Sequence, residues 1–206
     1  CCRGRPKNGG EEVRKIRLIM MVMAAAMAGA VYAGEKNLME NKSAENYGWV
    51  FDNGQEFPGA TGKLSIDSSE KDALKLEGNF TKGGNYVETK IKPDNVNLDS
   101  ISFLLKYPGA DALTMRVVDG SGQCHQIKLK IKEKPDWQKV NFDLVSFLTE
   151  KGDSPAAEQV KKHENWGGAN DGKWHGPVKL IAILLGSVGD NKAPTLWLNE
   201  FKLITK

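Results

Sequence analysis

The sequence predicts a single all-β sandwich domain, and three observations carry that prediction. Apolar and polar residues alternate with a period of two along much of the chain. Glycine- and proline-containing turns separate the alternating runs. Helix signals are sparse: Pro155 stands at the first position of a helix over Pro155–Lys162, behind Ser154, and a short turn fits Val145–Leu148. At most one or two short helices are therefore expected.

The strands follow in order. Gly62–Asp67 alternates through Leu64 and Ile66, and Leu74 and Leu76 mark the next run. Tyr86–Ile91 alternates again. Ile101, Phe103, Leu105 and Tyr107 share one face, as do Leu113, Met115 and Val117. Ile127, Leu129 and Ile131 point to the core while Lys128, Lys130 and Lys132 point to water. Asp119-Gly120-Ser121-Gly122 joins two such runs as a hairpin loop. Lys179–Leu185 is continuously apolar, which fits a strand covered on both faces. Leu196–Ile204 closes the chain.

Of the 206 residues, 29 are basic and 26 acidic, a net charge of +3 that suggests a polyanionic partner. The position of the charges removes the suggestion. Arg14, Lys15 and Arg17 precede an apolar run of 14 residues, Leu18–Val31, and small residues follow up to Ala33. That order is a secretory signal peptide over 13–33, cleaved near Ala33. Residues 1–12 lack a globular pattern and are expected to be either untranslated, with Val13 as the start, or a disordered leader. The first 33 residues hold six basic and two acidic residues, so 34–206 carries a net −1. Nucleic acid is disfavoured as a partner, and no membrane partner is expected of the mature, secreted form, extracellular or periplasmic. Residues 34–45 are polar and read as a flexible leader; 46–206 reads as the domain. Cys124 is the one cysteine after residue 33, so no intrachain disulfide is expected there, and a structural thiol is the better reading.

No nucleophile elbow, zinc-binding helix or phosphate loop is present. Gln123, His125 and Lys128 loosely suggest a lyase patch, but a solvated strand face fits them better. Glu200 is the acidic residue in a strongly apolar strand context. The segment Asn165–Pro177 is the richest. Trp166 and Trp174 stand among glycines with Asn170, Asp171, Lys173 and His175. An indole offers a face to the C–H side of a sugar ring, and the polar neighbours offer hydrogen bonds to its hydroxyls. The alternative is a loop folded over its own tryptophans, or a split with one ring packed and one exposed. A second grouping joins the chain ends: if the first strand (Trp49–Gly54) pairs with the last, Asp52 meets Asn199 or Glu200, and such oxygens suit Ca²⁺.

The runs Trp49-Val50-Phe51-Asp52-Asn53-Gly54, Glu56-Phe57-Pro58-Gly59-Ala60, Leu74–Phe80 and Gly83-Gly84-Asn85-Tyr86-Val87 resemble the galactose-binding-like jelly rolls of bacterial secreted carbohydrate-active proteins. Leu196–Leu203 looks like their closing strand. The resemblance implies a jelly-roll β-sandwich acting as a non-catalytic carbohydrate-binding module. It also implies a structural Ca²⁺ on Asp52 and Glu200, with Asn199 where an acidic residue is commoner. An oligo- or polysaccharide would stack on Trp166 or Trp174, and a catalytic domain or partner enzyme would raise the effective affinity. Two other readings remain: a small jelly-roll polysaccharide lyase or glycoside hydrolase, and a cell-envelope structural or interaction domain.

Overall fold

The computed structural model describes residues 34–150 and 153–205, so the expected leader (1–12) and signal peptide (13–33) lie outside the described residues. Twelve strands are present among them: β1 (Glu35–Asn37), β2 (Val50–Asp52), β3 (Thr61–Asp67), β4 (Ala73–Asn79), β5 (Val87–Ile91), β6 (Ser100–Lys106), β7 (Ala112–Val118), β8 (Cys124–Lys130), β9 (Gln138–Phe142), β10 (Val160–Trp166), β11 (Leu180–Leu185) and β12 (Thr195–Ile204). They form two antiparallel six-stranded sheets. Sheet A runs β3-β4-β12-β6-β9, with β1 also paired to β12; sheet B runs β10-β8-β7-β11-β5-β2. The chain passes repeatedly between the sheets, as a jelly-roll sandwich does.

Period-two alternation explains the core. Leu74, Leu76, Ile101, Phe103, Leu105, Leu196 and Leu198 point inward from sheet A, and Leu113, Met115, Val117, Ile127, Leu129, Ile181 and Ile183 meet them from sheet B, all fully or almost fully buried. Phe201 stacks on Phe103 with centroids 4.9 Å apart and meets the Trp49 ring edge-on at 5.1 Å. These rings fill the centre of the sandwich.

A β-bulge places Phe201 there. The pairing of β12 with β6 shifts register between Asn199 and Lys202, and Glu200 adopts a left-handed φ of 49°. The extra residue turns Glu200 out to solvent and returns Phe201 and Leu203 to the core. The same strand uses one edge twice: its first half pairs with β4 and its last residues with β1. Residues 34–45 are thus not a loose leader. β1 binds β12, and Leu38 and Met39 are buried in the core, an apolar pair short enough to be overlooked in a polar segment.

The helical expectations shift along the chain. The turn near Val145–Leu148 is the α-helix α1 (Leu144–Glu150), with Leu144, Phe147 and Leu148 buried. Pro155 does start a helical turn capped by Ser154, but it is a 3₁₀ turn ending at Gln159. From Val160 the chain becomes β10, an edge strand whose polar residues face water on an exposed flank. β11 is buried from Ile181 to Leu185, with Leu180 half-buried and Lys179 exposed before it, and Ala182 and Leu184 are covered by Tyr86 on the outward side.

Replacing Phe201 by Ala should remove about 3–5 kcal/mol of stability, the usual cost of deleting a buried phenyl ring. Urea denaturation of the 34–206 fragment reads this directly; a loss below about 1 kcal/mol would contradict the central packing described.

Candidate functional site

The register of sheet B sets which side chains share its outward face. One row crosses the sheet as Glu164, Gln126, Arg116, Ala182, Lys90 and Val50, each directly opposite its neighbour. The next row is Lys162, Lys128, Thr114, Leu184, Glu88 and Asp52. Trp166 stands at the β10 end, opposite Cys124. Neighbouring side chains in such rows lie about 5 Å apart and interact.

Arg116, the single arginine after residue 33, is the centre of this face. Its Nε donates to Gln126 Oε1 at 2.8 Å, and its Nη1 donates to the Tyr86 hydroxyl at 3.1 Å and to Glu88 Oε2 at 3.2 Å. The guanidinium lies 4.7 Å from the Tyr86 ring centroid and 5.6 Å from that of Trp166, so it bridges two aromatic rings. Phe57 meets the far side of Tyr86 edge-on at 6.2 Å. Tyr86 donates its hydroxyl to Glu56 Oε2 at 2.9 Å. Gln126 in turn donates to Glu164 at 3.1 Å.

Glu88 is the buried charge of the face. Burial raises its pKa, and Arg116 and Lys90 pull it back. Lys90 lies 3.6 Å from Glu88 and donates to Asp52 at 2.6 Å, and this last bond holds the Asp52 carboxyl below its ordinary pKa. The charges in the middle of the face thus compensate one another. Its solvent-exposed apolar surface is concentrated at the flanks: Val50, Phe57 and Trp166 are three of the four exposed large hydrophobic residues among those described.

The loop after β10 splits the sequence-predicted group. Trp166, 43% exposed, belongs to the sheet face. Trp174 is half-buried and packs against the core, its ring 6.0 Å from that of His125. Between them, Asn170 Oδ1 accepts from Asn165, and Asp171 Oδ1 accepts from the Lys173 backbone N–H at 2.9 Å and contacts His175 Nε2 at 3.0 Å. These bonds hold the Asp171 carboxyl down to about 2. Asn170, Asp171, Lys173 and His175 are therefore together, on a loop joined to Trp166, with Trp174 turned inward.

Two fully buried side chains hold the loop. Asp119 accepts from the backbone N–H groups of Ser121 and Gln123, from the Ser121 hydroxyl, and from the His175 N–H at 3.1 Å. Burial opposes its charge, but these donors more than offset burial and lower its pKa. Gln123 donates to Lys173 O at 2.8 Å and accepts from Gly172 N at 3.0 Å. Gly168 lets the loop pass this close: at φ +49°, a Cβ there would lie 2.2 Å from Gln123 N. His125 shares the inward face of β8 with Ile127 and Leu129, so Gln123 and His125 are buried rather than on a solvated face. His125 Nδ1 lies 3.3 Å from His163 Nε2, and burial lowers the pKa of both. Cys124 is buried, and burial pushes its thiol up to about 11, as suits a structural thiol.

The premise of the Ca²⁺ expectation fails. β2 lies in sheet B and β12 in sheet A, and they do not pair. Asp52 is held by Lys90 and by the Gly54 N–H, Asn199 donates to Lys71 O, and the bulge turns Glu200 outward. Among the described residues, no group of three or more His, Cys, Asp or Glu could hold a metal ion.

Sheet, loop and face together define a jelly-roll β-sandwich with one aromatic, charge-compensated sheet face. No protein-family model and no curated protein matches the sequence. Solved structures do match in fold. An agarase is similar over 84% of this chain at 14% identity, with a TM-score of 0.55; this chain spans 25% of the agarase's length. A family 29 carbohydrate-binding module matches over 85% of this chain and 87% of its own, at 14% identity and a TM-score of 0.49. The same module complexed with mannohexaose gives 13% identity, 85% and 94% coverage and a TM-score of 0.48.

Two outcomes follow. Arg116→Met leaves buried Glu88 with only the more distant Lys90 and should cost about 2 kcal/mol, below the fully buried range because Lys90 remains and the face is partly solvated. Adding Glu88→Leu should recover most of that loss; a double variant no more stable than the single would refute the coupling. Separately, His125 and His163 have depressed pKa values, so their neutral forms stabilise the fold fully above about pH 6.5 and that contribution declines as pH falls. The lowered carboxyls of Asp119 and Asp171 act only below about pH 4, and the raised pKa of Glu88 acts in the opposite sense near about pH 4.3 and above. Melting temperature should therefore drop between about pH 7.5 and 5.5, with a smaller drop in His163→Gln; a flat wild-type profile would refute the assignment.

Proposed function

We propose that this protein binds carbohydrate across the outward face of sheet B. The observation that carries the reading is the placement of Trp166 and of Phe57 with Tyr86 on either side of the Arg116 row. Exposed rings supply platforms for the C–H faces of sugars. Gln126, Glu164, Arg116, Lys90 and Asp52 supply donors and acceptors already held in place by mutual hydrogen bonds, which lowers the ordering cost of binding. The strands from β10 to β5 span about 19 Å at the usual spacing, room for an oligosaccharide rather than one sugar. The loop residues Asn170, Asp171, Lys173 and His175 form the rim beside Trp166, while Trp174 anchors that rim to the core.

The role is non-catalytic in this reading. Glu88, the buried carboxyl of the face, is engaged by Arg116 and Lys90. The signal-like segment 13–33 supports export of the domain, where it would hold a glycan for a linked or neighbouring enzyme. The fold shared with part of an agarase supplies a scaffold and does not choose the ligand.

Isothermal titration of the 34–206 fragment with agarohexaose, cellohexaose and mannohexaose tests the reading. At least one should bind, and Trp166→Ala should weaken it by roughly tenfold to a hundredfold, about 1–3 kcal/mol. The melting temperature should barely change, because Trp166 is exposed. Absence of binding across the panel, or binding indifferent to Trp166→Ala, would overturn the assignment to this face.

A further inference from the structure

The outward face of sheet A carries a second aromatic and charged cluster, on the opposite side of the sandwich from Trp166. Trp197 points outward from the central strand β12, flanked directly by Lys75 of β4 and Lys106 of β6. Their Nζ atoms lie 5.8 and 5.0 Å from its ring centroid. The Trp197 indole N–H donates to Asp67 Oδ2 at 3.0 Å. Nearby, Trp137 Nε1 donates to Glu70 Oε2 at 3.0 Å, and Glu70 also accepts from Lys106. These bonds lower the pKa of both carboxyls.

Two indoles are thus fixed in orientation by carboxylates at their polar edges, and what each leaves available is part of its ring surface. The carboxylates of this face are engaged: Asp67 and Glu70 as above, and Glu77 of β4, opposite Lys63, by Lys75 at 3.0 Å. Lys63, Lys75, Lys106 and Lys139 exceed these three acids by one charge. Lys63 on β3 and Lys139 on β9 point outward on either flank, exposed, with no hydrogen bond or ion pair among the described residues. Sheet B differs here, because its central charges compensate one another. A neutral sugar would leave Lys63 and Lys139 solvated; an anionic one would pair with them while lying on the indoles.

We infer that the outward face of sheet A is a second binding site, for a glycan chain bearing carboxylate or sulfate groups. It stands apart from the sheet B face and does not depend on that face binding sugar.

The test titrates the 34–206 fragment with hexagalacturonate, which carries carboxylates, and with a κ-carrageenan hexasaccharide, which carries sulfates. At least one should bind, and the better of the two names the anionic group. Binding should survive Trp166→Ala, fall at least tenfold in Trp197→Ala, and weaken as NaCl rises from about 50 to 200 mM. The paired variant Lys63→Glu with Lys139→Glu changes only exposed residues, so it should keep the wild-type melting temperature while losing the anionic probe. This second variant separates lost binding from lost folding. Failure of both probes to bind, loss of binding only with Trp166→Ala, or unchanged binding in the lysine variant would each overturn the inference. So would a wild-type dimer in analytical ultracentrifugation that Trp197→Ala dissociates, since a second copy would then cover the face. Failure of the neutral sugars to bind bears on sheet B alone.

Discussion

A carboxylate removed from water on an outward sheet face is unstable unless a cation is brought to it, and the contact between Glu88 and Arg116 meets that requirement. Much of the face of sheet B is arranged around this contact. Arg116 on β7 pairs with Glu88 on β5 across the intervening β11, where Ala182 stands opposite Arg116, and its planar head lies against Tyr86. The same guanidinium then sits within cation–π range of Trp166, so one ion pair relates two aromatic platforms on strands far apart in sequence. Pre-organisation of this kind lowers the ordering cost a ligand would meet.

Most of the sandwich was legible because burial follows a two-residue period wherever a strand has one dry face. Ile101-Phe103-Leu105 and Leu113-Met115-Val117 declare their orientation without further information. Three strands are not read from the sequence: β9 is short although Val140 and Phe142 keep the period, and β10 and β1 lack the contrast. β10 is an edge strand with polar residues on both sides, and β1 is three residues followed by the two that enter the core. The β12 bulge also escaped: strict alternation through Leu196, Leu198 and Glu200 would put Glu200 in the core, and only the inserted residue puts Phe201 there instead. The pairing of the first and last strands, on which the Ca²⁺ expectation partly rests, is absent because β2 joins sheet B. His125 is the reverse case, since the phase of Ile127 and Leu129 already placed it inward.

The site was half legible. Local sequence marked Trp166 and the polar loop after it, because glycine and two tryptophans stand together there. Nothing local marks Arg116, Tyr86, Glu88 and Phe57, which come from three separate stretches and meet only through the strand order β7-β11-β5. A composition clue existed in Arg116, the single arginine after residue 33. The loop shows why neighbours in sequence can serve different ends. Asp119 and Gln123, both buried, bind the backbone of residues 172–175. That clamp draws Trp174 toward the core, while Trp166 ends a strand whose outward phase is set by its pairing with β8.

A sandwich commits one face of each sheet to its core and leaves the other face of each free of that duty. The aromatic residues on those outer faces stand in different surroundings. On sheet B the cation is central and internally neutralised, and the rings flank it. On sheet A the ring is central, and the cations flank it, with acids turned to its N–H and two lysines unpaired at the margins. If both proposals hold, the first arrangement would discriminate by shape and hydrogen bonding, because its charges are compensated, and the second would add attraction between its marginal lysines and an anionic ligand, weakening with salt. One small domain would then present two unlike glycan sites on opposite faces, separated by the thickness of the two sheets.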